Sequence, residues 1–506
     1  MDQISKNKIL NQVFFFLLFA CNISLIWIFD YLPTQDGPCH LYNLTILKDL
    51  LNGGKIWGEF FTYNLRLTPN LGFTLFSYPL LTFFPPLVVE KIFFSFFISL
   101  TVFTSLYFLK TFETPIFPNS FFIFPILFNF NVLMGFYSYI ISVPIFLLSF
   151  SLVFRFRKMP AVLFFIFFNI LGIFTFFIHL ISFCFFVLSF FILKFCEINK
   201  NFISITKLFI YLILISLPSL FLVLSYLSIS VTDFQGFSYL LNIQRYLDLY
   251  RNLFTFSTAV FFPWQILPSV FLGSIIIFFL YSSLKENFSC FRSMPLSKKT
   301  IFILFISMFL IYFLAPFRFG EGSFFNQRFP WVILLILQPL LKFTDKKILK
   351  ISTSLLPVLI SMMFLFTNFF FFYQKNLLLQ NYLSGLEMNF PSSTLILPYK
   401  KKHPEDSAVD FLLHASTYYG FLNKIFVVSN YQAESDFFLV KFIPNISSDI
   451  PSQEKIAYFP HKIEWSKYPK IEFLLCWKLE SEDIKKIRFF YEKIFGEKDF
   501  SIWRRI

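Results

Sequence analysis

Charge is what this sequence has least of. Only 14% of its 506 residues are Asp, Glu, Lys or Arg, whereas a soluble chain needs about 25% to cover its surface. Length alone would suggest three or four soluble domains, and the shortage of charge excludes that reading together with a simple cytosolic enzyme. Paired cysteines are lacking too. Cys21, Cys39, Cys184, Cys196, Cys290 and Cys476 show no CxxC and no paired spacing, so they define neither a disulfide framework nor a zinc site. No internal repeat is visible. What fills the chain instead is apolar: 57% of it is hydrophobic, and Phe alone supplies 85 residues. Disorder and a collagen-like fibre are excluded, and a polytopic α-helical membrane protein follows.

Apolar stretches of around 20 residues can cross a bilayer as helices. They fall near 9–29, 87–110, 119–136, 138–154, 161–177, 179–195, 207–228, 263–284, 300–317, 328–343 and 351–373, giving about eleven transmembrane helices. The first is too long for a signal-peptide core and is expected to stay as a helix. The net charge of +14 does not point to nucleic acid, because the basic residues gather in every second connection. Lys6 and Lys8, Lys110, the group Arg155, Arg157 and Lys158, Lys194 to Lys207, Lys285 to Lys299 and Lys342 to Lys350 occupy alternate loops. That pattern places the N-terminus in the cytoplasm and the C-terminus outside. Residues 71–84 are apolar but short and end at Pro85-Pro86, so a re-entrant segment is expected there.

This topology sorts the polar residues to one side. The first outer loop, 30–70, contains Asp36-Gly37-Pro38, and Pro38 can open a helix. Leu41, Leu44, Leu47 and Leu51 then recur at helical spacing before Gly53-Gly54, predicting an amphipathic helix along the membrane surface. Asp36 and His40 would sit at the mouth of the bundle. His179 lies at an outer turn, Arg245 in the outer loop 229–262, and Arg318, Glu321, Gln327 and Arg328 in the turn RFGEGSFFNQRF. Ionisable groups near the bilayer are costly and so are functional candidates. A carboxylate can act as general base towards a hydroxyl or hold a divalent cation such as Mg or Mn. Histidines can share proton transfer, and arginines bind phosphate oxygens in a bidentate fork. Plainer roles compete: Asp36 as a helix-capping turn residue, His179 as an interhelical hydrogen bond, Arg328 as a headgroup anchor, and His414 and Tyr431 as structural residues.

The layout resembles the GT-C class of integral-membrane glycosyltransferases, and several segments resemble a less-characterised bacterial branch of it. These are TQDGPCHLYN (34–43), MGFYSYIISVPIFLL (134–148), GEGSFFNQRFPWVILLI (320–336), LLHASTYYG (412–420), VVSNYQAESDFFLVKF (427–442) and WRR (503–505). The resemblance spans most of the chain. It implies transfer of a sugar from a polyprenyl-phosphate donor to a lipid-linked glycan, lipid or protein acceptor on the outer face of the inner membrane. It implies catalysis by Asp36, and it suggests Arg328 and His179 as donor-phosphate residues; the chemistry of the outer face itself adds His40 beside Asp36, Arg318 for donor phosphate, and Glu321, Gln327 and Arg245 as further candidates. The adjacent acidic pair common in that class is absent, since Gly37 follows Asp36.

The tail, 374–506, is richer in charge and carries short β-like runs, TLILPY, IFVVSN, FFLVKF and IEFLLCW. Helical stretches at 406–416 and 481–494 complete the expectation of an extracytoplasmic α/β domain following the 1–373 transmembrane domain. Tyr418, Tyr419 and Tyr431 could line an acceptor surface. Two rival readings stay open. An O-antigen ligase or polymerase would rest on arginine and histidine with Asp36 dispensable. A flippase would show polar, broken helices near mid-membrane and inverted repeats.

Overall fold

The computed structural model describes residues 3–64, 66, 68–197, 202–230, 242–254, 269–270, 272–277, 281, 294–318, 323–341, 347–391, 394–401, 409–435 and 437–506. Helices dominate its residues up to 382. In chain order they are α1 (Gln3–Ile28), α2 (Gly37–Leu51), α3 (Gly72–Leu80), α4 (Pro86–Thr111), α5 (Phe130–Leu133), α6 (Tyr137–Phe156), α7 (Ala161–Ile178), α8 (Leu180–Glu197), α9 (Phe202–Ser230), α10 (Ile243–Phe254), α11 (Leu296–Leu314), α12 (Phe329–Leu337) and α13 (Lys347–Tyr382). Among the described residues, seven are long and apolar enough to cross a membrane: α1, α4, α6, α7, α8, α11 and α13. The chain is therefore a polytopic helical protein.

The count differs from eleven for physical reasons. The stretch near 119–136 is a 3-10 segment, Asn119–Ile126, followed by the single-turn α5. Pro125 lies inside the 3-10 segment, and the Asn129 side chain accepts from the Asn131 amide and restarts the chain as a new helix. This segment is apolar because it is buried against α13, where the Ser361 hydroxyl donates to the Phe121 carbonyl. The stretch near 328–343 is likewise split. The nine-residue α12 is wholly buried and gives way at Gln338 to a 3-10 turn containing Pro339. At 1.5 Å per residue it reaches only about 14 Å, half a bilayer core. Residues 207–228 lie in α9, of which Ile213–Tyr226 is the apolar described part. Most of 263–284 lies outside the described residues. The short run 71–84 forms α3, too short to span.

The last span runs on to Tyr382, nine residues beyond the boundary expected at 373. Beyond it a five-stranded sheet forms from β2 (Leu395–Lys400), β3 (Phe426–Val427), β5 (Ile471–Trp477), β6 (Tyr491–Glu497) and β7 (Phe500–Arg505), in the order β3-β2-β5-β7-β6. β2 runs parallel to β3 and β5, whereas β7 is antiparallel to β5 and β6. The expected helix at 481–494 covers only Ser481–Ile487, and its second half turns into β6. Of 406–416, the described part is a series of turns rather than a helix.

Loop and tail are built into one another. β1 (Phe61–Tyr63) of the first loop pairs antiparallel with β4 (Val440–Phe442) of the tail. Phe60 stacks on Phe426 with centroids 4.4 Å apart. Helix α2 forms where the leucine spacing predicts it, but it does not rest on a membrane surface with one side in water. It is enclosed on both sides, with Leu41, Tyr42, Asn43, Leu44, Ile46 and Leu47 all buried. The Tyr42 hydroxyl donates to the Ile425 carbonyl at 3.1 Å. A side chain at Gly420 would place its Cβ 2.6 Å from the Tyr42 ring, so the tail approaches α2 as closely as backbone allows.

Candidate functional site

Asp36 stands at the N-terminal boundary of α2, where a short polar side chain usually caps the helix. Here it does not: its side chain makes no capping hydrogen bond. The carboxylate turns instead towards the tail. Its Oδ1 accepts from Gln35 Nε2 at 3.1 Å and its Oδ2 from the Tyr431 hydroxyl at 3.2 Å. His414 Nε2 stands 3.7 Å from Oδ1, and the His414 ring lies against that of Tyr431 with centroids 4.8 Å apart. Gln35 reaches further still, since its Oε1 accepts the backbone amide of Asp410 at 2.9 Å. The plainer role as a cap is thus not the one the side chain performs.

The turn is held from below by close packing. The Asp36 amide donates to the Met134 carbonyl at 3.1 Å, and Gly135, at φ +81°, leaves room for the Asp36-Gly37 backbone to pass. A Cβ at Gly37 would lie 2.0 Å from the Tyr137 hydroxyl and 2.1 Å from Thr34 Oγ1. This explains the missing second carboxylate: no side chain fits at position 37. The Tyr137 hydroxyl occupies that space because it bonds both Thr34 Oγ1, at 3.0 Å, and the buried carboxylate of Glu90 in α4.

Burial is the main influence on the charges. It pushes the Asp36 carboxyl up from 3.8 to about 6, against the opposing pull of its Gln35 and Tyr431 hydrogen bonds and the Arg328 charge. His40 is held down to about 4 by burial, partly offset by a hydrogen bond to the Gly135 carbonyl. His414 is held down to about 3 by burial and by the proximity of His40. Tyr431 is pushed well up, so it remains a donor. At neutral pH the site contains an ionised but readily protonated carboxylate flanked by two neutral histidines. His40 stacks on Tyr137 with centroids 5.3 Å apart and meets Gln432 Nε2 at 3.1 Å from its Nδ1. Gln432 also accepts from Asn43, which exchanges two further amide bonds with Asn430. A cavity of about 40 Å³ opens beside these groups, lined among others by His40, Asn43, Asn70, Ser138 and Gln432.

Arg328, in the turn before α12, belongs to the same electrostatic neighbourhood, since its charge acts on Asp36. Its guanidinium lies over the rings of Phe136 (4.6 Å) and Tyr139 (5.4 Å), and Nη1 is 3.1 Å from His179 Nε2. The contact places His179 as a support for Arg328, and the Ile181 amide donates to the other ring nitrogen, Nδ1, at 3.2 Å. Among the described residues Arg328 Nε and the adjacent Gln327 Oε1 are buried without a hydrogen-bond partner. Such groups are costly to leave unpaired.

Not every expected residue joins in. Arg245 gives its Nη2 to the Ala315 carbonyl at 2.6 Å, and Arg318 is exposed. Glu321 lies outside the described residues. Tyr418 and Tyr419 are fully buried, so they form core rather than an acceptor surface. The contributions of Gln35, Gln432, Tyr137 and Glu90 went unread in the sequence. Glu90 carried a signal, being a lone acid in the first turns of an apolar span. Asp36 supplies a single carboxylate, and each of its oxygens already accepts one hydrogen bond. Among the described residues no group of three or more His, Cys, Asp or Glu side chains is arranged to hold a metal ion. Comparison with protein-family models finds none that matches this chain, and comparison with curated proteins finds no similar one.

Proposed function

We propose that this chain is a membrane glycosyltransferase of the GT-C kind. It would take a hexosyl or pentosyl group from a polyprenyl-phosphate donor on the outer face of a bacterial inner membrane. The acceptor is a hydroxyl of a lipid-linked glycan, a lipid or a protein. The observation that carries the reading is the Asp36 carboxylate: buried, raised to about 6, released from capping duty and within the field of Arg328. A base whose pKa lies just below the working pH is ionised yet still able to accept a proton. Asp36 removes the acceptor proton as the oxygen attacks the sugar carbon. Arg328, propped by His179 and two aromatic rings, holds the departing phosphate, using the fork geometry that suits it. Tyr431 and Gln35 keep the carboxylate oriented, and His40 and His414 keep water from solvating it.

A second reading draws on one observation, the direct Arg328–His179 contact. An O-antigen-ligase-type enzyme resting on arginine and histidine would use this pair and leave Asp36 dispensable. Mass spectrometry of surface glycans and glycolipids separates the two. Strains to compare are a deletion, the deletion carrying the parent protein, and the deletion carrying Asp36→Asn at matched expression. Loss of one sugar in the deletion that Asp36→Asn fails to restore supports the base. Full restoration by Asp36→Asn removes it and leaves the arginine–histidine pair.

A further inference from the structure

Helix α10 has a surface that the proposed chemistry does not use. Its residues divide into three faces. Leu249 is buried towards the bundle, and on that side the Tyr312 hydroxyl donates to the Leu249 carbonyl while Arg245 Nη2 donates to the Ala315 carbonyl at 2.6 Å. Gln244, Asp248 and Arg251 form an exposed polar face, on which Gln244 Nε2 donates to Asp248 Oδ1 at 3.2 Å. Between these two faces Ile243, Leu247 and Tyr250 recur at i, i+4 and i+7 and are 76%, 57% and 62% exposed. A stripe of this kind on a helix lying in water would be an unfavourable exposure of apolar area.

Depth decides what covers it. Tyr312 and Ala315 belong to the end of α11, a span of 19 residues. At 1.5 Å per residue that span is about 28 Å long, close to the full hydrocarbon core. Its last turn therefore sits at the edge of the hydrocarbon, and the two hydrogen bonds fix α10 at the same level. Leu310 and Leu314, on those final turns of α11, are also exposed, as lipid-facing residues of a span are. The apolar stripe of α10 therefore stands at the depth of this lipid-facing end.

We infer that α10 is an interfacial helix, seated in the headgroup region with Ile243, Leu247 and Tyr250 inserted into the acyl boundary of the bilayer. Its partner is phospholipid. The three faces match the three surroundings of such a helix: protein, lipid and water. Arg245, which the sequence offers as a phosphate ligand, is then the clamp that sets the helix at this depth.

A photoreactive residue tests the placement in the full chain. A diazirine-bearing leucine analogue is placed singly at 243, 247, 250, 244 or 249, and the protein is reconstituted in vesicles of phosphatidylethanolamine and phosphatidylglycerol. Illumination followed by intact-mass analysis identifies what each carbene meets. Phospholipid adducts are expected at 243, 247 and 250, water adducts at 244, and internal cross-links at 249. Water adducts at 247 and 250, or cross-links there to a second polypeptide, would overturn the inference. Position 249 also reports whether the helix is still docked, because its internal cross-link disappears if α10 has come away.

Discussion

Replacing Asp36 by asparagine should make this protein more stable and less active at the same time. The carboxyl titrates at 3.8 when free and about 6 in the fold, a rise that corresponds to about 3 kcal/mol at 1.36 kcal/mol per unit. Between those two values the folded state holds a proton that the unfolded state has lost, so stability falls as pH rises through the window. Above pH 6 the whole penalty is present, and below about 4 it is absent. An amide carries no charge and keeps its partners, since Gln35 can still donate to its oxygen and the Tyr431 hydroxyl can turn to accept from its nitrogen. Asp36→Asn should therefore gain about 1–3 kcal/mol at pH 7.5, a rise of a few degrees in unfolding temperature, and the gain should vanish near pH 4. Transfer activity should fall by about 10²–10⁴, the usual worth of a general base. Thermal unfolding in detergent micelles at both pH values, beside the transfer assay, measures the two effects. A variant that unfolds earlier than the parent at pH 7.5, or one whose stability gap ignores pH, refutes the burial argument.

Other consequences can be checked with the same preparation. Parent activity should have an acid limb centred near pH 6, with about a tenth of the sites ionised at pH 5. His414→Ala admits water beside Asp36 and should move that limb towards 3.8, which a pH–rate profile reads directly. Gly37→Asp, which would recreate an adjacent acidic pair, places a side chain in contact with the Tyr137 and Thr34 oxygens and should sharply lower the yield of folded protein by size-exclusion chromatography. Arg328→Lys loses the ring stacking and the fork, and should raise the donor KM about 10- to 100-fold, in line with a charged hydrogen bond worth 1.5–3 kcal/mol.

Much of the fold was legible because hydropathy is a long-range, averaged signal. The spans α4, α6, α7, α8, α11 and α13 lie where apolar length puts them, and α2 follows from Pro38 and four spaced leucines. The same signal misleads at 119–136 and at 328–343, since a segment buried in protein is as apolar as one facing lipid. Proline and asparagine inside those runs were the corrective, through the breaks at Pro125, Asn129 and Pro339. Asp36 and Arg328 could be singled out because charge is rare here. Their surroundings could not, as Gln35, Tyr431, Gln432 and His414 are ordinary residues whose meaning comes from a tail folding back by almost 400 positions. Glu90 and Tyr137 were hidden in apolar spans, and Gly37 looked like a departure until the Tyr137 hydroxyl accounted for it.

The joining of β1 to β4 carries a consequence for synthesis. Asp36 is made long before His414 and Tyr431, which reach the ribosome's exit only after the long apolar helices between them have been made. Until Val440–Phe442 pair with Phe61–Tyr63, the carboxylate stands in water, titrates as any free acid and has no settled orientation. Truncated or stalled chains thus lack the surroundings of Asp36, which are complete only once the tail segment has docked.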